Sequence, residues 1–335
     1  MKRAFRSAAA LLLAAVALGL AVRQVPLQDA IVSLQRVSPL PLLLALAILA
    51  AALWTKVRRW SLLLRPRQPL PRQSLPQRAL WNALLIGYLG NVVLPARLGE
   101  VVRGYILAEQ LRLPLSSVLA TIGVEKVLDV GAIMLFLFGL SLTMPLPTWA
   151  ARAGWLGGPV FALLLLGLVL GVLAGERLLG WVERVRARSP AWLARLAAWE
   201  WLRSLVSGLR PLRSPAVAVP IIGWSLLSWV LGALVNLAVL YAFGISPLFP
   251  AAVLTMVATN LGMALPSAPG YIGVHHYLSM LALSAFQVRP SLAFGYAVVV
   301  HLLIFGTFAM GGAGALLAGG LNLGSLYRRA SVGKG

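Results

Sequence analysis

Long apolar runs recur along the whole chain, separated by short segments rich in arginine and lysine. Several of these runs approach or exceed the roughly 20 residues that a helix needs to cross the hydrocarbon of a bilayer. Hydrophobic residues make up 60% of the 335 residues and charged residues only 11%, which is too little polar surface for a water-soluble protein of this size. The short alternating segments of an outer-membrane barrel are absent from the sequence. We therefore predict an all-α polytopic membrane protein.

The basic residues set the predicted orientation. The formal net charge is +21, and the positive charges lie between the apolar runs, as the positive-inside bias produces. We expect the segment between Thr55 and Arg78, the basic connector and both termini to be cytoplasmic, and the charge-poor loops 145–154 and 244–250 to face outside. The predicted location is the cell membrane, crossed several times, and nucleic acid is not an expected partner.

Residue types that bind metals or form covalent intermediates are scarce. The chain has no cysteine and only three histidines, which gives no thiolate site and no recognisable metal-binding set. The sequence also shows no nucleotide-binding loop and no serine triad. We therefore predict no cofactor and no metal, so that any transport is passive, ion-coupled or driven by a partner.

The chain is predicted to form a single membrane domain at 1–322 with two halves, about 39–144 and 215–322, and a cytoplasmic tail at 323–335. The run Ala8–Val22 is interpreted as a retained first helix rather than a cleaved signal peptide, and Arg23–Ser38 as a loop. The arginine- and tryptophan-rich connector at 176–214 is expected to be an interfacial amphipathic helix. The other predicted spans are 39–64, 115–144, 155–175, 215–243 and 291–321.

A broken helix at Trp81–Arg112 is the first candidate site. Pro95 removes a backbone donor and disfavours helix at the preceding residue, and Arg97, Glu100 and Arg103 follow at three-residue intervals, near one another on a new helix. Because charge beside a break in a membrane protein normally faces a polar cavity, we interpret the group as an anion site that holds phosphate bidentately. The alternative is a salt-bridged turn with arginines that snorkel to the interface.

Counting crossings between the cytoplasmic and outer loops requires two segments to enter and leave on the same side. One is the broken stretch, and the other is Ala251–Phe286, which contains the turn Pro266–Gly273. Asn91 and Asn260 each precede a Leu-Pro turn. This arrangement predicts two inverted-topology halves, each with a re-entrant helical hairpin, and a site where the breaks meet near the midplane.

Further candidate residues lie beside these two hairpins. Glu125 and Asp129 share a helix face, and they are either a proton-coupling or arginine-orienting pair or a structural intramembrane ion pair. His275 and His276 follow the second turn, where they either contact a phosphate or lie at the outer interface. His301 is expected to be a helix-packing hydrogen bonder.

The segments G-x-x-x-N-x-x-L-P-A-R-x-G-E-x-x-R (87–103), V-E-K-V-L-D (124–129) and P-S-A-P-G-Y-I-G (266–273) resemble the flippase-like membrane family that includes the membrane domain of lysylphosphatidylglycerol synthases. The resemblance extends over about residues 8–322. It implies a lipid translocase, or a relative acting on polyprenyl-linked or phospholipid headgroups, with Arg97, Glu100, Arg103, Glu125 and Asp129 at the motif positions. The chain departs from the family at the second turn, where His275 and His276 lie near the place of a family glutamate.

From the residues and the resemblance together, we expect a flippase that moves an anionic lipid headgroup, phospholipid or polyprenyl-phosphate-linked, across the bilayer. The sequence shows no soluble aminoacyl-transferase domain, so lysyl transfer is not expected. Two alternatives remain: a membrane transferase acting on a lipid-linked substrate, and a non-catalytic partner of a lipid-modifying enzyme.

Overall fold

A computed structural model describes residues 15–23, 25–64, 76–94, 98–188, 199, 206, 208–245, 249–263 and 268–321. Within these ranges every regular element is a helix. Five of the helices are long and apolar enough to cross a membrane, and a bent pair near the N-terminus would be a sixth crossing if it is a single span. The prediction of an all-α polytopic membrane protein is therefore confirmed.

The helices are numbered here along the chain. They are α1 (Ala15–Arg23), α2 (Leu27–Gln35), α3 (Pro39–Leu63), α4 (Gln77–Val93), α5 (Gly99–Leu111), α6 (Leu115–Thr143), α7 (Thr148–Arg188), α8 (Pro215–Ala242), α9 (Phe249–Gly262), α10 (Val274–Ser284) and α11 (Pro290–Ala318). Short 3-10 turns lie at Arg210–Arg213 and Pro269–Tyr271.

Prolines begin most of the long helices. Pro39, Pro215 and Pro290 occupy the first position of α3, α8 and α11, where the missing N–H costs nothing and the fixed φ already suits a helix. Pro114 is the N-cap residue of α6. The sequence therefore sets the start of these helices locally, and hydropathy sets their length.

Two segments differ from the sequence prediction. The supposed loop Arg23–Ser38 contains the helix α2, which is bent by 87° from α1. The supposed outer loop 145–154 is shorter, because α7 begins at Thr148 and continues without a break to Arg188. The first part of the predicted interfacial connector is thus continuous with the span before it, whereas residues 189–198 lie outside the described part of the chain.

The packing places two pairs of short helices among the long ones. The pairs are α4 with α5, of 17 and 13 residues, and α9 with α10, of 14 and 11 residues, and each pair packs side by side. Around them α3 packs along α8, and α11 packs along α4. The turn Pro269–Tyr271 contacts α4, so this turn before α10 lies against a helix of the other short pair.

Candidate functional site

A cluster of buried ion pairs joins α3, α5 and α6, with Glu125 at its centre. Oε1 of Glu125 lies 3.3 Å from Nη2 of Arg59 and 3.0 Å from Nη2 of Arg103. The second oxygen of the same carboxylate accepts a hydrogen bond of 3.3 Å from Nη1 of Arg103. All three residues are at most 2% exposed, and a buried charge of this kind is tolerated only when it is paired.

Asp129, one turn further along α6, binds Arg59 from another side. Nη1 of Arg59 donates to Oδ1 of Asp129 at 2.7 Å and to the hydroxyl of Ser225 at 3.2 Å. Nε1 of Trp229 donates to the same carboxylate oxygen at 3.1 Å. Because Ser225 and Trp229 belong to α8, these hydrogen bonds tie the charged cluster to the second half of the chain.

Glu100 extends the cluster along α5. Its Oε2 accepts a 2.7 Å hydrogen bond from Nε of Arg103, and its Oε1 lies 2.8 Å from Nζ of Lys126 and accepts a 3.3 Å hydrogen bond from the amide of Asn91. The guanidinium of Arg103 also lies 4.8 Å from the ring centroid of Trp60. Arg103 therefore donates to two carboxylates, and its guanidinium also lies against the indole of Trp60.

Two lysines also belong to the charged cluster. Lys126, whose side chain is 39% exposed, lies 3.8 Å from Glu125 and 4.0 Å from Asp129 in addition to its contact with Glu100. Nζ of Lys56 lies 5.6 Å from the ring centroid of Trp229; in the described part of the chain it has no carboxylate within 4 Å. Lys56, Arg59, Arg103 and Lys126 face three carboxylates, so the described cluster has a net charge of +1.

A cavity of about 280 Å³ borders the cluster. Lys56, Glu100, Lys126 and Asp129 line it from the first half of the chain, and Asn236, Asn260 and His275 line it from the second. Aromatic side chains form much of the remaining wall, namely Tyr88, Trp229, Tyr271, Phe305 and Phe308. The cavity is therefore mostly apolar, with polar groups contributed by both halves, as is usual for small-molecule sites.

The three histidines pack together at the second-half side. The ring centroids of His275, His276 and His301 lie 4.9 to 5.9 Å apart. His276 accepts a long 3.4 Å hydrogen bond from the backbone of Gly273, and Nε2 of His301 lies 2.7 Å from the carbonyl of Gly270. His301 thus ties α11 to the turn before α10, which confirms its predicted packing role.

Most of the residues proposed from sequence come together. Glu100, Arg103, Glu125 and Asp129 form the ion-pair cluster, and Asn91 hydrogen-bonds to its edge. Asn260 and His275 line the same cavity, whereas His276 is buried beside it, 7% exposed, and is not part of the lining. Arg97 and the turns at Pro95 and Pro266 lie outside the described residues.

Sequence reasoning did not find Arg59 and Lys56. Both count among the basic residues that predict a cytoplasmic segment, yet they lie inside α3, and Arg59 is completely buried. Their spacing carries a signal, because residues three apart share a helix face. Arg58, on another face, is exposed and lies 5.7 Å from the ring centroid of Trp54.

The glycines of the first motif allow α4 and α5 to approach closely. A Cβ atom on Gly99 would collide with the carbonyl oxygen of Gly87 and with Asn91, and one on Gly87 would lie 2.8 Å from Cβ of Arg103. The pattern therefore has a physical reason: glycine on both helices brings Glu100 against Asn91 and Arg103 against Gly87.

The fold and the site define a polytopic helical membrane protein with a charged cavity between its helices. Residues 7–312 match the family described as "Lysylphosphatidylglycerol synthase TM region". The chain belongs to this family, and the resemblance noted from the sequence is confirmed.

Two relatives are similar over most of this chain. One is the "Glycosyltransferase AglD" of Haloferax volcanii, 27% identical over a 307-residue alignment that covers 81% of this chain and 49% of the relative. The other is a "UPF0104 membrane protein" of Methanothermobacter thermautotrophicus, 26% identical over a 307-residue alignment that covers 85% of this chain and 87% of the relative. The chain thus aligns with about half the length of the first relative and with most of the second.

Proposed function

We propose that the protein is a lipid flippase that moves an anionic headgroup, phospholipid or polyprenyl-phosphate-linked, across the cell membrane. The observation that carries this proposal is a cavity bordered by an ion-pair cluster, whose described residues have a net charge of +1, near the middle of a spanning helix. Glu125 and Asp129 lie about 15 to 21 Å along the 29-residue helix α6, at 1.5 Å per residue. Ionised side chains at this depth are expensive and usually mark a substrate or ion pathway.

The two pairs of short helices supply the proposed pathway. We interpret α4 with α5, and α9 with α10, as re-entrant hairpins in two halves of inverted topology, with both termini cytoplasmic. Their helices have 11 to 17 residues, fewer than a full crossing needs. The contact between the turn Pro269–Tyr271 and α4 supports a site where the two breaks meet, the usual build of secondary transporters.

Lys126 is the proposed exchange point for the phosphate. It is the more exposed partner in its ion pair with Glu100, whereas Arg59 and Arg103 are buried behind the carboxylates. A phosphate in the cavity can replace Glu100 at Lys126 while Arg103 retains that carboxylate. Lys56 supplies a second cation on the same wall, and Arg97 is predicted to add a bidentate guanidinium.

The flippase proposal is tested with purified protein in liposomes that carry a fluorescent anionic phospholipid, whose outer-leaflet fraction is bleached by dithionite. Lys126→Gln should slow translocation by about tenfold or more, since the loss of one charged hydrogen-bond partner costs roughly 1.5 to 3 kcal/mol. The matched control is Arg152→Gln, at an exposed position of α7. Parental rates for Lys126→Gln, or no translocation by the parental protein, would contradict the proposal.

The inverted arrangement has its own test. Single cysteines are placed at Thr148 and Ser246, in the loops predicted to be outside, and at Ser74, in the basic segment. The parental chain has no cysteine, so each label reports one position. The first two should react from outside and Ser74 only after permeabilisation, and outside labelling at Ser74 would overturn the topology.

Two alternatives to the flippase are a membrane transferase and a non-catalytic partner of a lipid-modifying enzyme. The glycosyltransferase name of one relative favours the transferase, but this chain aligns with only 49% of that protein. A modified lipid formed by the purified protein would favour the transferase. Translocation of unmodified lipid by the protein alone would favour the flippase over both alternatives.

A further inference from the structure

The two walls of the cavity differ in the charge that they can present. Every aspartate and glutamate of the sequence precedes residue 215, so the second half contains no acid at all. On the first-half wall, Glu100 and Asp129 are already paired with arginine or lysine. The second-half wall can therefore offer hydrogen bonds to a ligand, but no negative charge.

Two groups on the second-half wall lack a hydrogen-bond partner in the described part of the chain. Nδ1 of His275 is buried and unpartnered, in a residue that is 2% exposed and lines the cavity. Asn260 donates its amide nitrogen to the carbonyl of Met256 at 2.8 Å, and its Oδ1 accepts no hydrogen bond from the described residues. A buried polar group normally has a partner, so a ligand is the natural candidate for Nδ1 of His275, and Oδ1 of the half-buried Asn260 offers a hydrogen-bond acceptor in the same cavity.

Asn236 provides an internal contrast on the same wall. Its Nδ2 donates to Gly232 at 2.9 Å, and its Oδ1 accepts from the hydroxyl of Tyr296 at 2.6 Å. Both polar atoms of this amide are used inside the protein, so Asn236 has a packing role. Asn260 and His275 line the same cavity and differ from Asn236 because each retains a polar atom that is unpartnered among the described residues.

We infer that Asn260 and His275 form a subsite for uncharged hydroxyl groups attached to the phosphate of the substrate. The inference rests on the proposed function and narrows its substrate to a phosphate lipid whose headgroup carries hydroxyl groups and no ammonium. A carboxamide oxygen accepts from a hydroxyl, and an imidazole nitrogen either donates or accepts. An ammonium would lie against a cluster of net positive charge, or against a wall without acids, and burying it unpaired is costly.

Aromatic groups fit the same class of headgroup. The ring of Phe305 lies 5.7 Å from the ring of His275, and Tyr88 stacks on Phe308 with centroids 4.4 Å apart. All four side chains line the cavity. They offer apolar faces to the carbon skeleton of a polyol or sugar ring, while the polar groups fix its orientation.

The test measures dissociation constants of short-chain lipids for the full chain in phosphatidylcholine nanodiscs. The probes are phosphatidic acid, with a bare phosphate, phosphatidylglycerol and phosphatidylinositol, with hydroxyl groups, and phosphatidylethanolamine, with an ammonium. The two hydroxyl lipids should bind up to about tenfold more tightly than phosphatidic acid, and phosphatidylethanolamine most weakly. Tighter binding of phosphatidylinositol than of phosphatidylglycerol would indicate a preference for a ring headgroup. Equal binding of the two would indicate that any polyol headgroup is accepted. Both results support the subsite.

Variants separate the subsite from the phosphate site. Asn260→Leu and His275→Phe should reduce the binding of phosphatidylglycerol and phosphatidylinositol to the level of phosphatidic acid and leave phosphatidic acid unchanged. Ser284→Ala, at an exposed position of α10, is the matched control. Should His275→Phe fail to fold, Asn260→Leu carries the same test at a less buried position.

The failures of the two proposals are distinguishable. If phosphatidic acid binds in a manner that depends on Lys126, but the hydroxyl lipids bind no more tightly or phosphatidylethanolamine binds equally well, the subsite is refuted and the flippase proposal stands. If none of the phosphate lipids binds, or Lys126→Gln changes nothing, the proposed function itself fails.

Discussion

Replacing Glu125 by glutamine tests whether the cluster is held together by ionised groups. Glu125 contacts Arg59 at 3.3 Å and Arg103 at 3.0 Å, and both guanidinium groups are buried. Glutamine keeps the shape of the side chain but removes its charge. The net charge of the described cluster then rises from +1 to +2, with three carboxylates reduced to two.

The expected loss is about 3 kcal/mol in the free energy of unfolding. Breaking a buried ion pair by removing one partner typically costs 3 to 5 kcal/mol. The lower end applies here because Asp129 still binds Arg59 at 2.7 Å and Glu100 still binds Arg103. The assay is equilibrium unfolding in mixed micelles, followed by the fluorescence of the 11 tryptophans. Asp29→Asn, on the exposed surface of α2, is the control.

The same variant tests whether Glu125 carries a proton, which is one of the roles that the sequence leaves open; an arginine-orienting carboxylate and a structural ion pair would both be ionised. A proton-carrying glutamic acid is neutral and nearly isosteric with glutamine, so its replacement would change stability little. A loss below about 1 kcal/mol, the size of an ordinary substitution, would therefore refute the ion-pair cluster. Adding Arg59→Met to Glu125→Gln restores the charge balance, and the double variant should lose less stability than the sum of the two single variants.

Two further predictions concern the first motif. Gly99→Val should destabilise the protein by about 2 kcal/mol or more in equilibrium unfolding, because overpacking typically costs 1 to 3 kcal/mol and a Cβ at this position collides with Gly87. The control is Gly139→Ala, whose Cβ meets no atom within 4 Å. Its unfolding midpoint should be unchanged or raised. Arg97→Lys should weaken binding of anionic lipid by about ten- to hundredfold, since lysine lacks the planar fork that holds two oxygens, and parental affinity would place the phosphate site elsewhere.

The sequence predicts the long helices well because hydropathy and proline act locally. The predicted span 39–64 agrees with α3 to within one residue, and 215–243 agrees with α8 in the same way. The helix α2 is not predicted, because its mixed polar and apolar residues give no spanning run. The continuity of α7 to Arg188 is not predicted, because the span 155–175 was ended where charged residues become frequent. Charged residues do not by themselves end a helix.

Only part of the ion-pair cluster can be predicted from the local sequence. Glu100 and Arg103 are recognisable because they follow a break, and Glu125 and Asp129 because acids are rare in spans. Arg59 lies at the basic end of a helix, where positive residues are ordinary. Its role depends on Asp129, 70 residues away in the sequence, and such a pairing follows only from the packing of α3 against α6.

The position of each cation within the cluster predicts how its loss will appear. Arg59 and Arg103 are buried and bind two carboxylates each, so their replacement should act on folding. Lys126 lies at the edge of the cluster and lines the cavity, its side chain is 39% exposed, and its carboxylate partner Glu100 is also bound by Arg103. Lys126→Gln should therefore reduce lipid translocation while the unfolding midpoint changes much less than in Glu125→Gln. Two results together would contradict this prediction: an equal loss of stability in both variants, and transport by Lys126→Gln at the rate expected from its folded fraction. Lys126 would then have a structural role, and the proposed replacement of Glu100 by phosphate at Lys126 would be refuted.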